Sequence, residues 1–360
     1  MDSPPDPTSA PVLLAAIEAT PLLGRGLALA EARRAQLARL LASRPEPSLV
    51  LRQRLHFGAL LLVRESAEAD RWLRDLAMEA DARGEASIAQ RARFMAARAR
   101  CAAGAPEAAA ALLAEVQRAP IAPEAALDQL LARSWLGTLD AVGLLREALE
   151  RLPPARDHDR LAVLLELADR CEAGGDPYRA RVSLEQALAL AQAHEAHGAA
   201  GRAALMLGAL LVRTGTPDVA LPALERALAE GEMASDSLIR ASAGQILVAL
   251  LLGQGAWHDV LARSTPLLEV ARERRNGALL ASLSLDRATA HAALGHPDRA
   301  TRELLEAGHE LELAGEDLAL NLVKARLVAL LMALGPERFG ALVLEAMDAG
   351  AAPRNPEKTS

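Results

Sequence analysis

The stretch ALMLGALLVRTGTPDVALPALERALAE (204–230) decides the fold. Its small and apolar residues fall at helical spacing on both sides of Gly215: Leu205, Leu207, Gly208 and Leu211 before it, Ala220, Leu224, Ala227 and Leu228 after it. That spacing marks one face of an α-helix, met twice and interrupted by a Gly-x-Pro corner. Glycine suits the left-handed residue that ends a helix, and Pro217 suits the first turn of the next. The stretch therefore predicts two antiparallel helices of roughly four turns each, joined by a tight turn.

The corner recurs. GGDPYRA (174–180), TGTPDVA (214–220), QGAWHDV (254–260) and LGHPDRA (294–300) follow one another at intervals of 40, and Gly175, Gly215, Gly255, Gly295 and Gly335 form one column. A helix pair cannot bury both of its faces alone, so such pairs must stack on their neighbours. Upstream the phase is looser. AGAPEAAAALLAEV (103–116) fits with Gly104 at the corner, SAEADRWLRDLAMEA (66–80) fits without a corner glycine, and WLGTLDAVGLLREALERL (135–152) is one residue out at the turn. Leu27 to Leu41 reads as a further amphipathic helix with Arg33, Arg34 and Arg39 on its wet side.

Leu207-Gly208, Gly215, Ala220, Leu224, Ala227 and Leu228 resemble the tetratricopeptide repeat motif position by position. The period of 40 exceeds that family's usual ~34, which points to a long-helix variant. The resemblance implies an all-α protein, a right-handed α-α superhelix of about eight helix pairs. The expected organisation is a single helical-repeat solenoid over 11–348, regular from about 157, between disordered tails at 1–10 and 349–360.

Composition agrees. Of 360 residues 51% are hydrophobic but only 2% aromatic, so the apolar mass is Ala and Leu, the best helix formers. A β-sandwich or barrel would want β-branched and aromatic residues instead. The 40 basic residues against 47 acidic give a net charge of −7, which speaks against a nucleic-acid partner. Lys324 and Lys358 are the only lysines, and the Arg and Ala excess reads as the signature of a GC-rich bacterial genome. Residues 1–120 hold 16 Arg against 14 acids while the rest is acidic, which places any anion-attracting surface in the first third. Cys101 and Cys171 have no zinc or disulfide spacing and read as small buried hydrophobes. MDSPPDPTSAP lacks the features of a signal peptide, and the longest apolar stretch, Ile246 to Leu252, is far short of a membrane span. The expected address is the cytoplasm, with no membrane partner.

Catalytic chemistry finds no foothold. GRGLAL (24–29) lacks the third glycine of a dinucleotide fingerprint, and no phosphate-loop lysine motif exists. His194-Glu195-Ala196-His197 lacks zincin spacing, and His291 falls in the packing column of Leu211. No catalytic, cofactor or metal residue is assigned, so the chain reads as non-enzymatic.

Binding is the better lead. The resemblance implies that the first helix of each pair lines a concave groove, here with Asp169, Glu172, Arg202 and Arg213, then Gln245, then apolar residues such as Leu322 and Met332. One repeat upstream, Arg91, Phe94 and Arg98 give a basic lining suited to an acidic segment. The implied function is a scaffold or adaptor holding a peptide or helix of another protein in that groove. The alternative is a regulatory receptor that binds a small molecule or signalling peptide and passes the change to a separate effector. At the C-terminal end Phe339, Leu342, Val343 and Met347 share a stripe that either completes the last pair or serves as an association surface for a homodimer.

Overall fold

The computed structural model describes residues 10–20, 22, 24–43, 46–63, 67–136 and 140–351. Among them are eighteen α-helices and no strand. The chain divides into two compact units, 1–203 and 204–360. Unit 1 holds α1 (Ala10–Glu18), α2 (Gly24–Ser43), α3 (Pro47–Val63), α4 (Ala69–Ala82), α5 (Ala86–Ala102), α6 (Pro106–Val116), α7 (Ala126–Ser134), α8 (Ala141–Arg151), α9 (Asp157–Ala173) and α10 (Pro177–Ala193). The boundary falls within α11 (His197–Arg213). Unit 2 continues with α12 (Pro217–Met233), α13 (Ser237–Gly253), α14 (Trp257–Glu273), α15 (Gly277–Ala293), α16 (Pro297–Ala314), α17 (Asp317–Leu334) and α18 (Pro336–Ala351). Eighteen helices make nine consecutive pairs, one more than the sequence pattern counts, because the period is hard to read in the first pairs. The expected tails at 1–10 and 349–360 fall almost wholly outside the described residues.

From α9 to α15 every helix is 17 residues long, and a new one begins every 20 residues. Each turn has only three residues, which leaves one way to reverse the chain. Gly175, Gly215, Gly255, Gly295 and Gly335 all have φ between 72° and 81°. At the Gly215 corner the next amide reaches back five residues, Thr216 N donating to Leu211 O at 3.0 Å, as a Schellman turn requires. Pro177, Pro217 and Pro297 then open the following helices.

The structure also shows a second left-handed column, at the turns between pairs: Glu195 (φ 52°), Ser235 (φ 54°), Arg275 (φ 50°) and Gly315 (φ 72°). The next residue caps the following helix, as when Asp236 accepts from Leu238 N (2.9 Å) and Ile239 N (3.0 Å). Three of these four positions are not glycine, so composition conceals the column.

Within each pair the seam is lined by Ala and Leu. Ala220, Leu224 and Ala227 are fully buried in α12, as are Ala300 and Leu304 in α16. Gly208 lets α11 press on α12: a Cβ there would lie 2.7 Å from the Leu224 side chain. Among the described residues no helix is long and apolar enough to cross a membrane.

The corners make a sharp prediction. Nothing lies within 4 Å of a Cβ added at Gly215, so Gly215→Ala tests backbone strain alone and should cost about 1–2 kcal/mol. Gly253→Ala, also unobstructed but without positive φ, should instead stabilise by up to about 1 kcal/mol. Arg275→Gly should relieve strain and be neutral or stabilising. Urea unfolding of the three variants reads the signs, and a destabilised Gly253→Ala with a neutral Gly215→Ala would invert the argument.

Candidate binding surface

In unit 2 the first helices of successive pairs pack on one another, α13 on α15 and α15 on α17, while α12, α14 and α16 make at most marginal contact with each other. As far as α16 the unit is therefore tighter on its first-helix side, where a groove would form, and at its C-terminal end the second helices α16 and α18 pack on each other as well. Along that side the structure places Arg213 and Gln245 exposed, and Ser282, Leu285 and Thr289 half-buried. Gln245 Nε2 reaches Ser282 Oγ at 3.5 Å, which puts α13 and α15 side by side on this face.

The face ends on α17, where it changes character. Leu318 is 84% exposed, Leu322 58% and Met332 81%. With exposed Ala325 and Ala329 they run at spacings of four, three, four and three, the seam pattern of a helix that packs against another helix. The opposite side of α17 is already spent, since Ala319, Leu320, Val323 and Leu330 are buried in the unit's own core. A helix apolar on two sides is normally covered on two sides. The repeat positions identify Leu322 and Met332 from sequence; Leu318 was missed, and the four-three spacing was the signal that could have found it.

In unit 1 Asp169 and Arg202 are exposed and Glu172 is half-buried. The expected basic lining is arranged differently. Phe94 is fully buried and Arg98 nearly so, while Arg91 is half-buried. The acidic partner expected from another molecule is supplied by the chain itself. Arg91 Nε donates to Asp128 on α7 at 2.8 Å, and Arg98 Nη1 pairs with Asp159 on α9 at 2.7 Å. Arg156, in the 3₁₀ turn Pro154–Arg156, joins the halves by reaching both Asp128 (2.8 Å) and Asp159 (2.5 Å). Arg98 also lies over the Trp135 ring at 5.0 Å. Burial alone would raise both aspartates, but Arg156 and Arg91 hold Asp128 low, and Arg98, His158 and Arg156 hold Asp159 well below the usual carboxylate range. Sequence spacing gave no sign of this network, because its members come from separate segments that only the packed unit brings together.

Nearby, burial, with His158 and Arg34 adding repulsion, lowers the His56 imidazole from its ordinary 6.5 to about 4. At the C-terminal end Phe339 packs against the core of unit 2, Leu342 is buried and Val343 half-buried. The Met347 side chain lies outside the described residues. Among the described residues no cluster of three His, Cys, Asp or Glu is set to hold a metal ion.

No family model and no curated protein matches the chain. Solved structures do. A signal transduction ATPase with numerous domains and a tetratricopeptide repeat sensor, from Pyrococcus horikoshii, matches at TM-score 0.54 and 14% identity, over 88% of this chain and 52% of that one. This chain thus spans about half the length of that protein. Aspartyl phosphate phosphatase F from Bacillus subtilis matches at TM-score 0.47 and 14% identity, over 98% and 96% of the two chains. A Rap protein complexed with competence and sporulation factor matches at 0.40 and 14%, over 92% and 97%. The first of these likenesses establishes a shared helical-repeat fold.

The buried network predicts an asymmetry. Asp159→Asn leaves Arg98 and Arg156 short of a counter-charge and should cost unit 1 about 3–5 kcal/mol. Arg98→Met combined with Asp159→Leu should cost much less than either change alone, with Trp135 fluorescence reporting the unfolding. The pH dependence has a definite sign. His56 binds its proton less well folded than unfolded, so stability is fully present above about 6.5 and falls as the pH drops toward 4. His56→Gln should flatten that slope, and an unchanged slope would remove His56 as its source.

Proposed function

We propose that the chain is a long-helix member of the tetratricopeptide repeat class and acts as a non-catalytic, cytoplasmic interaction scaffold. The repeats over 11–348 form one array in this reading. Its first-helix face in unit 2 takes a helix or extended peptide of another protein. The observation that carries this is the stripe of Leu318, Leu322, Ala325, Ala329 and Met332, apolar, exposed and spaced for a helical partner. Arg213 and Gln245 on the same face supply polar contacts that would fix register.

A second reading draws on the Pyrococcus protein, whose repeats are described as a sensor. In that reading the same face receives a signalling peptide and passes the change to an effector. Self-association through the C-terminal end is less well supplied, because Phe339 and Leu342 are spent on the unit's own core, and Leu344, 65% exposed, is left as the large apolar contact there.

Leu322→Glu with Met332→Glu should preserve helicity, since both side chains are exposed, and abolish capture of the partner from native-host extract. Hydrogen exchange with the captured partner bound should show protection on α13, α15 and α17. Equal capture by the double variant would remove this face from the interaction.

A further inference from the structure

The 40-residue period lets the chain serve as its own alignment, and one junction departs from it. Arg287 on α15 stands where the period puts Leu167, Leu207, Leu247 and Leu327. His291 stands in the column of Leu211, Leu251 and Leu331, and Ser264 on α14 in that of Leu184, Leu224 and Leu304. Three apolar packing positions are polar at a single junction, and the structure brings them together. Arg287 Nη1 donates to Ser264 Oγ (3.1 Å), Thr265 Oγ1 (2.8 Å) and Leu261 O (2.9 Å). Its Nε donates to Glu303 on α16, which His291 Nε2 also approaches at 3.4 Å.

Beside this inset lies a cavity of about 340 Å³ between α14, α15 and α16. Arg272, Arg287, Arg299 and Arg302 line it, against Glu303 and Glu306. Two of the four guanidinium groups are already engaged, Arg287 by Glu303 and Arg272 by Glu310 at 2.9 Å. The side chains of Arg299 and Arg302 are exposed and make no ion pair or hydrogen bond among the described residues. Arg302 stands one helical turn before Glu306 and still does not pair with it. The buried Nδ1 of His291 also lacks a partner. The wall therefore carries four guanidinium groups against two carboxylates, and the side chains of Arg299 and Arg302 are left without a carboxylate partner.

We propose that this cavity binds the phosphate group of a small phosphate monoester. Arg299 and Arg302 supply donors, while Arg287, tied to α14 and α16, provides fixed positive charge. A carboxylate is satisfied by one guanidinium fork, whereas three terminal phosphate oxygens match several converging donors. The volume suits a small ligand. The site is separate from the first-helix face. At 100° per residue, Ser284, Arg287 and His291 point to the side of α15 opposite Ser282, Leu285 and Thr289. Its residues also fall outside the first third of the sequence, where the charge count alone placed an anion-attracting surface.

Isothermal titration at constant ionic strength tests this, with inorganic phosphate and glycerol phosphate as probes and acetate as the carboxylate comparison. Saturable binding of both phosphates is expected, with acetate at least tenfold weaker. Arg299→Ala with Arg302→Ala should weaken binding at least tenfold while leaving the circular dichroism unchanged. The His291 ring resonances should shift on phosphate addition in the wild type. Leu322→Glu with Met332→Glu should bind phosphate normally, which separates this site from the scaffold reading. Absence of saturation, an unaffected double arginine variant, or acetate equal to phosphate would overturn the assignment.

Discussion

A pair of 17-residue helices built from Ala and Leu presents more apolar surface than the two can hide from each other. Every other feature of unit 2 follows from where that surplus goes. Between α13 and α15, and between α15 and α17, it is covered by the next pair. Beyond α17 the repeat supplies α18, which takes up Phe339 and Leu342, yet the stripe from Leu318 to Met332 remains in water. The exposure is substantial: three large side chains, each more than half accessible, on one helix face. The same physics that makes the array stack is the ground for the proposed docking on this face.

The turns set how strictly the stacking can repeat. Three residues per turn leave one of them in the left-handed region, and a constant 20-residue step keeps each helix in register with the last. Where that residue is glycine, as at Gly215, the corner is visible in the sequence. At Ser235 and Arg275 the same conformation is held by residues that dislike it, which the surrounding helices and the caps at Asp236 and Asn276 enforce. The turns with glycine at this residue were therefore legible and those at Glu195, Ser235 and Arg275 were not, although all share a left-handed residue.

The candidate binding residues divide along a similar line. Arg213, Gln245, Leu322 and Met332 lie on the exposed side of their helices because repeat position fixes which way a side chain faces. Arg91, Phe94 and Arg98 come from a region where the period is irregular, and there position stops predicting exposure. α7 and α9 bring Asp128 and Asp159 to the arginines, a juxtaposition of residues some 30 to 60 positions apart that no local pattern encodes. Buried pairs of this kind contribute little net stability over an apolar seam, but they penalise any stacking that would leave one charge alone. They fit a region whose irregular helices could otherwise slide past one another.

Arg287 shows the two principles meeting. It occupies a leucine position, so the period says it faces a neighbour, and it is charged, so it must bring its own partners. It finds them on two other helices at once: Ser264 and Thr265 on α14, and Glu303 on α16, while itself belonging to α15. A leucine there would fill space and tolerate small slips. The guanidinium instead fixes α14, α15 and α16 by directional bonds, and an anion near it would draw on the same donors that Glu303 now uses. In an array where each pair touches only its neighbours, that junction is where the proposed phosphate ligand would act on stacking directly, without reaching the face that α17 presents.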